Sequence, residues 1–173
     1  APSVDELVLV CGDHSLAAAS TLVAKFATEK PIRIVLGGKR RQDSALAGVR
    51  ATSDKVSVVS IHDAARPLVI SALFDAVIPV SDTIKRIVDG RVRETIPRDD
   101  LVAVQTPQAF DKRQLLDAFE FAERDGATVT DEASLIEQMG GAVVVVPGAV
   151  TNIKITYPDD LAIAEMFMRR IRK

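Results

Sequence analysis

The sequence predicts an α/β fold with a mainly parallel sheet flanked by helices, on three observations. Short β-branched apolar runs alternate along the chain with stretches whose apolar residues recur at helical spacing. Two strand candidates end in small or charged residues that suit ligand loops, Gly37-Gly38 and His62-Asp63-Ala64-Ala65-Arg66-Pro67. The 173 residues are 47% hydrophobic and 27% charged, the balance of one globular domain that buries roughly 70% of its unfolded surface.

Leu7-Val8-Leu9-Val10 reads as a buried parallel strand. After Gly12-Asp13, the residues Leu16, Ala19, Val23 and Phe26 lie at helical spacing, and Ile32-Arg33-Ile34-Val35-Leu36 reads as the next strand, which completes a βαβ unit. Asp43 or Ser44 suits the cap of a second helix through Ala45, Leu46 and Val49, and a third strand is expected over 56–61. Ser71-Ala72-Leu73-Phe74-Asp75-Ala76 starts like a helix but runs directly into a strand at Val77-Ile78-Pro79-Val80. A parallel crossover takes a dozen or more residues, so about ten are expected to be missing near Ala76, unless the junction is no crossover.

Asp89-Gly90 between β-branched runs predicts a hairpin over 83–96, with Val88 opposite Arg91, Ile87 opposite Val92 and Lys85 opposite Glu94. Its arms carry apolar residues on both faces, which suits an arm packed on a second copy of the chain. Asp111 suits the cap of a helix with Leu115, Leu116, Phe119 and Ala122 on one face, stopped at Gly126. A shorter helix follows Thr130, with Asp131 and Glu132 in its first turn. Val143-Val144-Val145-Val146 reads as a strand, and Ile153-Lys154-Ile155-Thr156 as an extended stretch. Pro158 opens a last helix with Leu161, Ala164, Met168 and Ile171 on one face. The expected arrangement is a Rossmann-like single domain over 1–173, with an arm at about 79–106.

Charge and composition exclude several functions. The net charge of −2 gives no global drive toward nucleic acid. One cysteine, Cys11, and two histidines, His14 and His62, make neither an internal disulfide nor a zinc set, which favours a cytosolic setting. No apolar run approaches the ~20 residues that span a bilayer, so membrane insertion is not expected.

Four stretches combine the residue types that phosphate chemistry uses. Gly37-Gly38-Lys39-Arg40-Arg41 joins a close-approach turn to three cations at a helix start, and reads either as an anion site or as a turn with a solvated basic stretch. In the loop 62–67, Asp63 and Arg66 flank small side chains: a binding loop, or an ion pair bracing a turn. His62 reads as a packed strand residue rather than a catalyst. Lys154 points away from Ile153 and Ile155, on the side of Asn152 and Thr156, as either a solvated lysine or a phosphate hook. Thr130-Asp131-Glu132 reads as a helix cap with acids suited to the helix dipole, or as a ligand site.

Six motifs in order resemble the 2-C-methyl-D-erythritol 4-phosphate cytidylyltransferase family: Gly37-Gly38-x-x-Arg41-x-x-Ser44, the loop 62–67, Asp82-Thr83-Ile84-Lys85-Arg86, Thr106-Pro107-Gln108-x-Phe110, Thr130-Asp131-Glu132-Ala133-Ser134 and Asn152-Ile153-Lys154-Ile155-Thr156. The resemblance implies transfer of CMP from CTP to methylerythritol phosphate, with Mg²⁺ bound mainly through the CTP phosphates. By similarity, Gly37, Gly38 and Ser44 meet the cytosine side and Asp63 and Ala64 the ribose side. Arg66, Thr83, Arg98, Thr106 and Thr130 surround methylerythritol phosphate, Lys154 binds the substrates at the reacting phosphates, and Lys154, Arg98 and Arg66 are the implied catalytic groups. The hairpin would cross to the partner of a homodimer, so that Thr83 and Arg98 serve the partner's site.

The family pattern implies a cytoplasmic enzyme in bacteria, or a plastid one in plants. It also begins with a glycine-rich strand whose arginine and lysine wrap the triphosphate, so the 173 residues are expected to be part of a longer chain. A polypeptide truly lacking that segment is expected to have little activity. Ribitol 5-phosphate is the alternative acceptor, and a non-catalytic nucleotide-binding or dimerisation module is the alternative of another class.

Overall fold

The computed structural model of the protein describes residues 4–26, 29–70 and 76–171. Two compact units emerge, one formed by Ala1–Ile61 with Ala109–Val143 and the other by His62–Gln108 with Val144–Lys173. Parallel and antiparallel pairs both occur, so the architecture is mixed α/β rather than a mainly parallel sheet.

In the first unit, β1 (Leu7–Cys11) and β2 (Ile32–Leu36) pair in parallel from Leu7 opposite Ile32 to Cys11 opposite Leu36, with α1 (Leu16–Lys25) between them. This is the expected βαβ unit. The second helix, α2 (Arg41–Arg50), begins earlier than Asp43 or Ser44 because Asp43 acts from its third position, accepting the Arg40 N–H at 3.1 Å. Likewise β3 (Val58–Ile61) starts two residues late, because the Val56 N–H is spent on the Ser53 carbonyl in a turn. It pairs with β8 (Gln108–Asp111).

The core of this unit is helical. Asp111 caps α3 (Lys112–Asp125) by accepting the Gln114 N–H at 2.9 Å, and Gly126 ends it at φ 64°, a left-handed conformation that suits glycine. Leu115, Ala118, Phe119 and Ala122 of α3 pack with Leu135 and Ile136 of α4 (Ala133–Gln138) and with Val49, Val59 and Phe110. Each fully buried large side chain here contributes roughly 1.5–3 kcal/mol. This cluster braces α2 and α4, the elements next to Gly37-Gly38 and Thr130.

The second unit is built on β4 (Ala76–Pro79), antiparallel to β7 (Val102–Val104) and parallel to β9 (Val146–Pro147). Among the described residues, strand β4 joins a sheet other than that of β3, so no crossover within one sheet is formed there. The helix start expected at 71–76 falls at 71–75 outside the described residues, and Ala76 already belongs to β4. The strand expected over 143–146 shrinks to Val146–Pro147. Among the described residues Val144 and Val145 have no ladder partner, and Val144 is 75% exposed.

The hairpin β5 (Ile84–Val88) and β6 (Arg91–Ile96) turns at Asp89 and Gly90, both at positive φ, as an Asp-Gly turn requires. Val88 faces Arg91 and Ile87 faces Val92 as expected, but Lys85 faces Thr95 instead of Glu94. One extra residue, Arg93, bulges from β6, and the shift lets Arg86 meet Glu94 at 2.5 Å while Lys85 Nζ donates to Thr95. The last helix, α5 (Pro158–Ile171), is capped by Asp160, which accepts the Thr156 and Tyr157 N–H groups at 2.8 Å. Of its expected apolar face only Ala164 is buried, and Leu161 and Ile171 remain exposed. No helix among the described residues is long and apolar enough to cross a membrane.

Candidate active site

The implied nucleotide loop lies in the first unit, where β2 ends and α2 begins. Gly38 N–H donates to Ser44 Oγ at 3.1 Å, folding the loop onto the first turn of α2. A Cβ on Gly37 would stand 2.5 Å from Ser44 Oγ, and one on Gly38 would stand 2.3 Å from Asp43 Cβ, so both positions need glycine.

Two of the three cations beside this loop are engaged within the protein. Arg40 pairs with Asp43 at 2.6 Å, and Arg41 grips Glu132 with bonds of 2.6 and 2.8 Å. Glu132 has no exposed surface; burial raises its pKa above the ordinary carboxyl range, and Arg41 opposes that rise. Neither the anion site nor the solvated basic stretch describes Arg41 as it stands, because a buried carboxylate claims it. Asp131, not Glu132, acts as the cap: its Oδ1 accepts both the backbone N–H and the hydroxyl of Ser134. Thr130 is exposed just before this turn.

The second unit gathers Asp63, Arg66, Thr106 and Lys154. Lys154 Nζ lies 2.9 Å from Asp63 Oδ2, whereas Arg66 Nε is 3.9 Å from the same oxygen. The carboxylate thus turns to the lysine rather than bracing its own loop with Arg66. Arg66 is held instead through Nη1, which donates to the Asn152 carbonyl at 2.7 Å, while Nε is buried without a hydrogen-bond partner. Burial lowers the Arg66 pKa, though an arginine remains cationic. One carboxylate therefore faces two cations, and the group carries a surplus positive charge. Ala64 is exposed beside it.

Asn152 and His62 depart from their expected places. Asn152 has no exposed surface, because its side-chain N–H₂ donates to the Thr106 carbonyl and to Gln105, while Lys154, assigned to the same side, is half exposed. His62 lies beyond the end of β3 with an exposed ring, bonded to the Arg66 carbonyl and to Thr106 Oγ1. Thr106 Oγ1 also accepts the Asp63 N–H at 2.9 Å. Apart from the local His62–Arg66 bond, these partners stand 43 to 47 residues apart, beyond the reach of local pattern.

Thr83 and Arg98 form another group at the root of the hairpin, both exposed, with Arg98 donating to the Ser81 carbonyl. Among the described residues, no three His, Cys, Asp or Glu side chains gather as a metal cage.

The comparisons agree with one another. The family model described as 2-C-methyl-D-erythritol 4-phosphate cytidylyltransferase, IspD, matches residues 1–170. A protein of that name from Bacillus pumilus is 43% identical over 161 residues, 85% of this chain and 70% of its own length. One from Syntrophus aciditrophicus is 39% identical, covering 98% of this chain and 79% of its own. Among solved structures, the 4-diphosphocytidyl-2C-methyl-D-erythritol synthase of Anaerococcus prevotii superposes with a TM-score of 0.84 at 29% identity, covering 96% of this chain and 79% of that one. The chain belongs to the 2-C-methyl-D-erythritol 4-phosphate cytidylyltransferase family.

Proposed function

We propose that the protein transfers CMP from CTP to 2-C-methyl-D-erythritol 4-phosphate, releasing pyrophosphate and forming 4-diphosphocytidyl-2-C-methyl-D-erythritol. A phosphate oxygen of the acceptor attacks the α-phosphorus of CTP. As the new P–O bond forms, the bond between the α- and β-phosphates breaks and pyrophosphate leaves with its electron pair. A phosphate monoester is already an anionic nucleophile, so the reaction needs positioning and charge stabilisation rather than a general base.

The observation that carries this reading is the surplus positive charge where Asp63 faces both Lys154 and Arg66. Lys154, half exposed on its ion pair, is free to exchange the carboxylate for a transferring phosphoryl oxygen. Arg66 and Thr106 bracket the acceptor phosphate, and Thr130 is assigned to the same ligand. Gly37, Gly38 and Ser44 meet the base, and Asp63 and Ala64 the ribose side. Mg²⁺ fits as an ion carried by the CTP phosphates, where it offsets their negative charge, since Asp63 is committed to cations of the protein.

A homodimer belongs to the same proposal. The cross-strand pair Ile87 and Val92 at the hairpin tip is 63% and 61% exposed, an apolar surface that a second copy would cover. Thr83 and Arg98, at the hairpin root, then serve the acceptor site of the partner, with Arg98 as the third cation of the transfer.

Pyrophosphate release from CTP, with methylerythritol phosphate and ribitol 5-phosphate offered separately, tests the reading. Turnover with the first acceptor is expected; turnover with ribitol 5-phosphate alone would overturn it. The names of the relatives favour the first acceptor.

A further inference from the structure

Four residues of the second unit close a ring of hydrogen bonds. His62 Nε2 lies 3.0 Å from the Arg66 carbonyl, and Arg66 Nη1 donates to the Asn152 carbonyl at 2.7 Å. Asn152 Nδ2 donates to the Thr106 carbonyl at 3.0 Å, and Thr106 Oγ1 lies 3.1 Å from His62 Nδ1. Carbonyl oxygens only accept, so the proton of the neutral ring must sit on Nε2. Nδ1 is then the acceptor, and the Thr106 hydroxyl donates to it. The same oxygen accepts the Asp63 N–H, which fixes both its hydrogen and one of its lone pairs.

We propose that His62 is a positioning residue for the transfer: its two ring nitrogens tie the Arg66 backbone to the Thr106 side chain, and so hold Arg66 in one arrangement before the acceptor phosphate binds. This rests on the reading that Arg66 binds that phosphate. The far side of the ring is anchored by Asn152, which has no exposed surface, whereas His62 is exposed and contributes by bonding rather than by packing. A binding group held in its bound arrangement loses less entropy when the ligand arrives. His62 therefore acts through its neighbours and makes no contact with the reacting atoms.

The test uses two readouts. Nitrogen-15 NMR of the imidazoles, assigned by the loss of one signal set in His62→Asn, reports the tautomer in a chain with one other histidine, His14. A neutral ring protonated at Nε2 is expected for His62, moving toward a tautomer mixture in Thr106→Val. Calorimetry then reads the affinity for methylerythritol phosphate. His62→Phe is expected to weaken it about three- to tenfold with CTP affinity unchanged, and His62→Asn, which keeps an acceptor near the Nδ1 position, to restore most of it. A ring protonated at Nδ1, or unaltered acceptor affinity in His62→Phe, overturns the inference. The tautomer readout does not depend on turnover, so wild-type protein that transfers no CMP would fail the proposed function while the ring was still decided.

Discussion

Arg41 and Glu132 stand 91 residues apart in the chain and meet in a two-bond ion pair of 2.6 and 2.8 Å around a carboxylate with no exposed surface. The pair ties the start of α2, beside the Gly38–Ser44 contact, to the turn that presents Thr130. Arg41→Ala leaves the buried carboxylate without its cation. Because Arg41 is itself partly exposed, the expected loss is about 2–4 kcal/mol, somewhat below that of a fully buried pair. Urea denaturation measures it, and an unchanged midpoint would remove the pair from the stability of this unit.

Glu132 also gives the protein a definite pH response. Its folded pKa is raised by burial above the unfolded value, so the folded state binds the proton more readily. Its contribution to stability is fully present below the ordinary carboxyl pKa and is lost as pH rises through the raised one. Thermal melts across that window should show Glu132→Gln flattening this part of the wild-type profile. Parallel profiles for the two proteins would contradict the assignment.

Lys154 is paired with Asp63 at rest, and in the proposed function it acts on the transition state more than on nucleotide binding. Lys154→Ala is expected to lower kcat by about 100-fold while CTP affinity changes less than about threefold. Unchanged kcat would exclude Lys154 from the site.

The hairpin carries the proposed dimer. Deleting residues 85–94, or placing aspartate at both Ile87 and Val92, should halve the mass seen by light scattering. A dimer that persists in both variants would refute the crossing arm.

The local elements were legible wherever short-range chemistry decides them. The β1–α1–β2 unit followed from periodicity, the hairpin turn from Asp89-Gly90, and α3 from its Asp111 cap and Gly126 stop. What escaped depends on partners distant in the chain. The extra residue Arg93 leaves no mark in an alternating pattern, yet it changes the partner of Lys85. Val143-Val144-Val145 has strong strand propensity, but a strand needs a ladder, and only Val146 and Pro147 find one among the described residues. The loops of the proposed site were named from the motifs, whereas the pairing of Lys154 with Asp63, of Arg41 with Glu132, and the bonds of His62 arise only from tertiary placement.

Phosphorus-31 NMR of the protein with CTP, Mg²⁺ and methylerythritol phosphate tests the central claim most directly. The account predicts that the triphosphate signals give way to free pyrophosphate and the paired signals of a cytidyl diphosphate ester, with little conversion by Lys154→Ala. Wild-type protein that binds CTP yet leaves its triphosphate intact beside the acceptor would contradict it.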